Sequence, residues 1–196
     1  MLKKELRQKY KALRQNLSTN DIEDLSLEIA NKILRIPIWE KTYFHVFLPI
    51  IEQKEINTEF ILHILSGKDK EIIVSKCVFC SSDGEQSDQT QKMTHYLLTD
   101  NTKIKKNKYN IPEPVDGIEV PSNKIDVVFV PLLTFDKKGH RVGYGKGFYD
   151  QFLSGCKPET IKIGLSFFEP EELISDVFEG DVKLDYGVTP NAIYSF

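Results

Sequence analysis

Hydrophobic residues recur with a helical period in four segments of the chain. In residues 2–17 the leucines fall on one stripe, which is typical of a helix that buries one face. Residues 18–21 provide capping side chains for a second helix, whose apolar positions keep the period until Pro37 ends it. A third capped helix is predicted over 57–67, and residues 148–153 repeat the helical spacing over a shorter length.

Between and after these helices the chain has apolar runs of the length of β-strands, at 42–50, 71–79, 92–99, 125–133, 160–167 and 186–196. The run at 125–133 is almost continuously apolar, which is the pattern of a strand buried on both faces of a sheet. Strands that alternate with helices predict an α/β fold with helices on both sides of a sheet. In such sheets, ligands bind at the carboxyl ends of the strands.

The composition is that of one globular domain. A length of 196 residues fits a single domain over residues 1–196, and 40% hydrophobic with 28% charged residues allows both a core and a soluble surface. The formal net charge of -3 argues against a nucleic-acid partner, so any basic site must be local.

The chain shows neither a targeting nor a membrane segment. Its first ten residues are charged from Lys3 onward and lack the apolar stretch of a signal peptide. No apolar run approaches the roughly 18 residues of a spanning helix. We therefore expect a soluble cytoplasmic protein with no membrane partner, and we take a monomer as the working expectation.

The three cysteines predict neither a disulfide framework nor a zinc site. Cys77 and Cys80 form a C-x-x-C pair, but Cys156 stands alone and a structural zinc site needs four ligands. We expect the pair on or near a strand. Residues 81–91 have the composition of an exposed hairpin tip, whereas 99–124 is a long irregular stretch of the kind that is functional or disordered.

The segment RVGYGKGFYD at 141–150 combines the residue types of a phosphate site. Its three alternating glycines allow close approach of a ligand to the backbone, and a helix that begins near Gly147 favours an anion. Arg141 and Lys146 would add charge-assisted hydrogen bonds, while Asp150 suits Mg²⁺. The alternative is a glycine-rich loop with a capping aspartate, since the general P-loop and dinucleotide-binding spacings are absent.

A second basic feature lies on the first helix, where Lys3, Arg7 and Arg14 form a stripe beside the leucines. Such a stripe is most often a solvated face, and the alternative is that Lys3 and Arg7 reach phosphates across the site. His140 precedes Arg141, and we expect it to be a solvated loop residue rather than an acid or base.

Four segments together resemble one known family. They are VPLLTFDKKGHRVGYGKGFYDQFL at 130–153, KKELR at 3–7, NIPEP at 110–114 and GDVKLDYGVT at 180–189. In this order they are similar to the 5-formyltetrahydrofolate cyclo-ligases, also called methenyltetrahydrofolate synthetases. The first segment is long and specific, and the resemblance runs along essentially the whole chain.

The resemblance implies a fold and a reaction. The fold is a three-layer α/β/α sandwich with a mostly parallel central sheet. The reaction converts 5-formyltetrahydrofolate to 5,10-methenyltetrahydrofolate with ATP as co-substrate and Mg²⁺ as cofactor, and it releases ADP and phosphate.

The resemblance also implies site residues, of which Arg141 and Lys146 would be catalytic. ATP would be bound by Lys3, Arg7, Arg141, Val142, Gly143, Tyr144, Gly145, Lys146, Gly147, Phe148 and Tyr149. The folate would be contacted by Leu48, Glu55, Tyr109, Tyr144, Gly145, Lys146, Gly147 and Phe148. The metal would be held by Asp150 and Asp181.

Two other classes of function compete with this interpretation. One is another enzyme on a similar fold, such as a sugar-phosphate isomerase or a CoA transferase, which would work without ATP. The combination of Asp150 with the basic helix argues against it. The other is a folate- or nucleotide-binding protein without turnover, against which the joint presence of Arg141, Lys146 and Asp150 argues.

Overall fold

The computed structural model describes residues 1–78 and 92–196. Its helices are α1 (Lys3–Gln15), α2 (Thr19–Ile33), α3 (Glu59–Gly67) and α4 (Phe148–Ser154). Its strands are β1 (Tyr43–His45), β2 (Glu71–Val78), β3 (Lys92–Leu97), β4 (Ile104–Lys106), β5 (Pro112–Pro114), β6 (Val127–Pro131), β7 (Thr134–Phe135), β8 (Arg141–Val142), β9 (Ile161–Leu165), β10 (Tyr186–Val188) and β11 (Ile193–Ser195).

The start of α2 follows directly from its sequence. Ser18 is the N-cap, and its hydroxyl accepts a hydrogen bond from the backbone N–H of Asp21 at 3.1 Å. The Asp21 carboxylate accepts in return from the backbone N–H of Ser18 at 2.8 Å. This reciprocal pair satisfies two backbone donors that a helix start would otherwise leave open. The predicted cap at 18–21 is therefore confirmed.

Seven strands form one sheet in the order β11-β10-β9-β6-β1-β2-β3. The five central strands pair in parallel, and the edge strands β3 and β11 are antiparallel to their neighbours. Two smaller two-stranded sheets, β4-β5 and β7-β8, stand outside it.

The central strand β6 is buried on both faces, as its apolar sequence predicts. Val127 and Phe129 pack in one cluster with α2 and α3, whereas Val128 and Val130 pack in another with α4. Helices therefore cover both faces of the sheet, and the expected three-layer α/β/α architecture with a mostly parallel sheet is confirmed.

The order of the strands reverses between β1 and β6. From β1 the chain crosses through α3 to β2 on one side, and from β6 it crosses through α4 to β9 on the other side. Such a reversal leaves a crevice at the carboxyl ends of the two strands, which is where open α/β sheets bind ligands.

Three predicted segments differ in detail from the structure. The run 42–50 is a strand only over β1, because the chain leaves the sheet and turns at Ile51–Gln53. The stretch 99–124 contains the hairpin β4-β5 and is not wholly irregular. The predicted hairpin tip at 81–91 lies outside the described residues.

Cys77 lies in β2, which agrees with the strand expected for its pair. Cys156 follows α4, and both Cys77 and Cys156 are free thiols. Cys80 lies outside the described residues. In the parts of the chain that the structure describes, no helix combines the length and the apolar character needed to span a bilayer.

Candidate functional site

A pocket of about 380 Å³ opens at the carboxyl ends of β1 and β6. Many parts of the chain contribute to it, among them α1, the segment that follows β1, strands β2 and β3, the β4-β5 hairpin and the glycine segment 143–150. The lining residues are Lys3, Arg7, Lys11, His45, Phe47, Leu48, Ile50, Gln53, Glu55, Ser75, Cys77, Met93, Tyr109, Ile111, Pro112, Pro131, Arg141, Gly143, Tyr144, Gly145, Lys146, Gly147, Phe148, Tyr149, Asp150 and Asp181.

The glycine segment needs glycine at two of its three positions. Gly145 has φ +90° and Gly147 has φ +72°, a backbone region that side chains rarely adopt. A Cβ at position 145 would lie 3.0 Å from the guanidinium carbon of Arg7, whereas one at 147 would meet nothing within 4 Å. Gly143 has open space beside it, which keeps the backbone there accessible from the pocket.

One end of the pocket is rich in charge. Arg141 donates from Nη2 to Asp150 Oδ1 at 2.6 Å, and a second guanidinium nitrogen donates to the carbonyl of Val182. Lys3 forms an ion pair with Asp181 across the site. Burial lowers the pKa of Arg141, and the neighbouring carboxylates of Asp150 and Asp181 counter this effect.

Two further cations complete this end. Arg7 donates from Nε to the carbonyl of Gly143 at 3.0 Å, so α1 is tied to the glycine segment. Lys146 lies over the ring of Tyr109, with its ammonium nitrogen 5.1 Å from the ring centroid. The site thus brings cations from α1, β8 and the glycine segment to one pocket, and such a cluster of positive charge favours anions.

Asp150 and Asp181 are the residues that could hold Mg²⁺. In nucleotide sites Mg²⁺ is bound by one or two carboxylates together with phosphate oxygens and waters, and two pocket-lining aspartates match that donor set. Within residues 1–78 and 92–196 no group of three or more histidines, cysteines or carboxylates could hold a metal. The donor set therefore suits a metal that arrives with phosphate oxygens.

The pocket lining also contains apolar side chains, among them Phe47, Met93 and Ile111. Two polar lining residues, His45 and Ser75, belong to a hydrogen-bonded group with His95: Ser75 Oγ lies 2.7 Å from His45 Nε2 and 2.8 Å from His95 Nδ1. Burial lowers the pKa of both imidazoles, that of His95 to about 4, so both rings are neutral at physiological pH.

Glu55 also lines the pocket and is 6% exposed. Its Oε2 accepts a hydrogen bond from the backbone N–H of Ile50 at 2.7 Å, which follows from the turn after β1. Burial raises the pKa of Glu55, while the Ile50 N–H, the charge of Arg14 and the hydroxyl of Tyr144 act in the opposite direction.

The structure brings nearly all the predicted site residues to this pocket. Val142 differs, because its side chain is fully buried in a cluster with Leu6 and Leu133 and does not line the pocket. The roles assigned to these residues in binding ATP, folate or metal remain predictions.

Two expectations from the sequence are wrong. The basic stripe of α1 is not a solvated face, since Lys3 and Arg14 are 8% and 3% exposed. His140 is not a solvated loop residue, because its Nδ1 lies 3.1 Å from Asp136 Oδ2 and its side chain is only 13% exposed. The Asp136 carboxylate also accepts from the backbone N–H of Ile174, so this pair fixes the β7-β8 hairpin.

Several pocket residues were not predicted. His45 and Ser75 belong to strands that their apolar runs identify, but which polar side chain faces a pocket depends on the register between strands. Lys11 lines the pocket one helical turn after Arg7. Its spacing on the basic stripe is the one signal that could have identified it.

A model of the 5-formyltetrahydrofolate cyclo-ligase family matches residues 1–190. The chain belongs to the 5-formyltetrahydrofolate cyclo-ligase family. The resemblance inferred from the four sequence segments is thereby confirmed, and with it membership of a ligase family.

Individual cyclo-ligases agree with this assignment. The 5-formyltetrahydrofolate cyclo-ligase of Mus musculus is 29% identical over 195 residues, which cover 94% of this chain and 89% of the mouse protein. The cyclo-ligase of Mycoplasma genitalium is 43% identical over 68 residues, and that match covers 34% of this chain and only 40% of the relative. The 5,10-methenyltetrahydrofolate synthetase of Aquifex aeolicus has a structure that aligns with a TM-score of 0.76 at 27% identity, over 100% of this chain and 93% of that one.

Proposed function

We propose that this cyclo-ligase converts 5-formyltetrahydrofolate to 5,10-methenyltetrahydrofolate in an ATP- and Mg²⁺-dependent reaction that releases ADP and phosphate. The observation that carries the proposal is one pocket whose lining combines cations and two aspartates with apolar and aromatic side chains. This combination suits a nucleotide triphosphate beside a bicyclic ring.

The proposed chemistry solves a leaving-group problem. Closing the ring removes the formyl oxygen from carbon, and that oxygen is a poor leaving group. Transfer of the γ-phosphoryl group of ATP to the formyl oxygen turns it into phosphate, which leaves readily. N10 of the folate attacks the activated formyl carbon, the carbon–oxygen bond breaks, and N10 loses its proton.

Such a reaction requires positioning and charge stabilisation and no covalent nucleophile. Arg141 and Lys146 would stabilise the charge on the transferring phosphoryl group, while Lys3 and Arg7 would hold the remaining phosphates. The position of Arg141 supports this role, because its hydrogen bonds to Asp150 and to the Val182 carbonyl keep the guanidinium at the pocket, where the phosphates would bind.

Asp150 and Asp181 would hold Mg²⁺ together with phosphate oxygens. When bound, the metal would neutralise charge on the bridging phosphate oxygens. Both aspartates now pair with cations of the same end, Arg141 and Lys3. We infer that nucleotide binding would rearrange these pairs, since Arg141 and Lys3 would then face phosphate.

The folate would occupy the apolar part of the pocket, with Leu48, Tyr109 and Phe148 against its rings and Glu55 near its reacting nitrogens. We propose a monomer as the working unit. We also propose a cytoplasmic location.

The proposal predicts ATP-dependent formation of a methenyl product. Purified protein is mixed with 5-formyltetrahydrofolate and Mg²⁺, and the absorbance of the methenyl product is followed with and without ATP. The Asp150→Asn variant should lose about a hundredfold or more in kcat, because a metal ligand stabilises the transition state by several kcal/mol. Folate binding, measured by calorimetry, should largely survive.

Asp24→Asn is the matched control, because Asp24 is exposed on α2 and does not line the pocket. It should behave like the wild type. Turnover without ATP, or an Asp150→Asn variant as fast as the wild type, would contradict the proposal. Tight folate binding with no turnover would instead indicate a binding protein.

A further inference from the structure

Arg14 is a buried cation just behind the pocket. It lies in α1, is 3% exposed and does not line the pocket. Its Nη1 donates to the hydroxyl of Tyr144 at 3.0 Å, and its Nη2 donates to the carbonyl of Leu132. The guanidinium also lies over the ring of Phe167, 5.9 Å from the centroid. A desolvated arginine held this way is costly unless its charge is compensated.

The compensating charge lies on the other side of Tyr144. The Tyr144 hydroxyl accepts from Arg14 and interacts with the Glu55 carboxyl, to which it can donate its only proton. Tyr144 therefore stands between the Arg14 guanidinium and the Glu55 carboxyl. Only Tyr144 and Glu55 of the three face the pocket.

We propose that Arg14 is a positioning residue that acts through Tyr144 to keep Glu55 ionised and oriented, so that Glu55 accepts the proton released from N10 during ring closure. This inference rests on the proposed function. As the bond between N10 and the formyl carbon forms and phosphate leaves, the N10–H bond breaks. Its proton passes to the Glu55 carboxylate, which becomes neutral and later releases it to solvent.

Glu55 suits this role better than the other carboxylates that line the pocket. Asp150 and Asp181 are paired directly with Arg141 and Lys3, and both lie at the phosphate end. Glu55 has no direct ion pair with a cation among the described residues, and its burial raises its pKa toward the range of an effective base. Arg14 and Tyr144 act against that rise.

The charged and titratable groups around Glu55 come from three elements. Arg14 faces it from α1, Tyr144 from the glycine segment and Tyr149 from α4. Lys11 lies over the ring of Tyr144, 5.5 Å from its centroid. Both tyrosines have a pKa raised by burial, so they stay neutral and Arg14 is the charged group acting on Glu55.

The test replaces Arg14 by methionine, which fills a similar volume without charge, and by lysine, which keeps the charge. Arg35→Met is the control, since Arg35 is exposed just after α2. The first readout needs no turnover: infrared titration of the Glu55 carboxyl band, identified by its loss in Glu55→Gln. Arg14→Met should raise the Glu55 pKa by at least about one unit, and Arg14→Lys by much less.

The second readout is the pH profile of kcat in the methenyl assay. The acidic limb should move upward in Arg14→Met by the same shift as the infrared titration, while Arg35→Met and the wild type coincide. An unchanged Glu55 titration in a folded Arg14→Met protein would overturn the inference. So would a kcat lowered by one factor at every pH, because a purely structural arginine would give that result.

The failure of the inference and the failure of the proposed function are distinguishable. A wild-type protein without ATP-dependent product would refute the function, whatever the Arg14 variants do. A wild-type protein that turns over, beside an Arg14→Met variant with an unmoved acidic limb, would refute the role of Arg14 alone.

Discussion

At the scale of single residues, the glycine segment shows why its composition is unusual. Gly145 combines a positive φ with direct contact to the Arg7 guanidinium, so both conformation and space exclude a side chain there. Gly147 has the positive φ without the contact. Gly143 has neither constraint, and its lack of a side chain affects only what can approach from the pocket.

These differences predict that alanine destabilises the protein to a different extent at each of the three positions. Gly147→Ala should lower the free energy of unfolding by about 1–2 kcal/mol through backbone strain alone. Gly145→Ala should cost more and also lower activity, because Arg7 must move. Gly143→Ala should fold like the wild type and raise the KM for ATP. Urea unfolding measures the stability of each variant, and steady-state kinetics measure its activity and KM. Equal stability of all three variants would contradict this ranking.

At the scale of elements, three strands and one helix meet at a buried polar group. The His45–Ser75–His95 hydrogen bonds join β1, β2 and β3, and His95 packs on Phe152 of α4 with ring centroids 4.1 Å apart. Because α4 also carries Tyr149 and Asp150, this packing fixes the helix that follows the glycine segment.

This group predicts acid sensitivity of the fold. A histidine in an unfolded chain has a pKa of about 6.5, whereas the pKa of His95 is about 4 in the folded protein. Between these two pKa values the unfolded state binds more protons than the folded state, so the free energy of unfolding falls as the pH drops from the first value towards the second. From pH 7 to pH 5, urea unfolding should show a loss of about 2 kcal/mol from His95. His45 should add a loss of the same sign, because burial lowers its pKa as well.

Matched variants can show whether His95 and His45 cause this loss of stability. His95→Asn and His45→Gln keep the polar atom that faces Ser75 and remove the titration, so each should flatten the pH dependence. His63→Gln is the control, because His63 is exposed on α3. If the double variant kept the full pH dependence of the wild type, other groups would be responsible.

At the scale of the whole molecule, the sheet topology brings distant segments to one pocket. The reversal between β1 and β6 places the turn after β1 beside the glycine segment after β8, and α1 closes the same crevice. Hydrophobic periodicity predicted the helices, the buried strand and the side of the sheet where the site lies, because burial on both faces leaves a clear pattern in β6.

Other features could not be predicted from the sequence because they depend on tertiary contacts. The bond from Arg14 to Tyr144 joins residues 130 positions apart, and its periodic position on α1 is equally compatible with a solvated face. The length of β1 depends on where the chain turns away from the sheet. The burial of His140 depends on Asp136, four residues earlier, in a hairpin whose strands span two residues each.

The most direct test of the proposed reaction is to follow the formyl oxygen. 5-Formyltetrahydrofolate labelled with heavy oxygen in the formyl group is converted by the purified protein with Mg²⁺ and unlabelled ATP, and the released phosphate is analysed by mass spectrometry. Phosphoryl transfer to the formyl oxygen predicts one labelled oxygen in each released phosphate, because the formyl oxygen leaves as part of that phosphate. Label found in water, with unlabelled phosphate, would contradict phosphoryl transfer to the formyl group at this site.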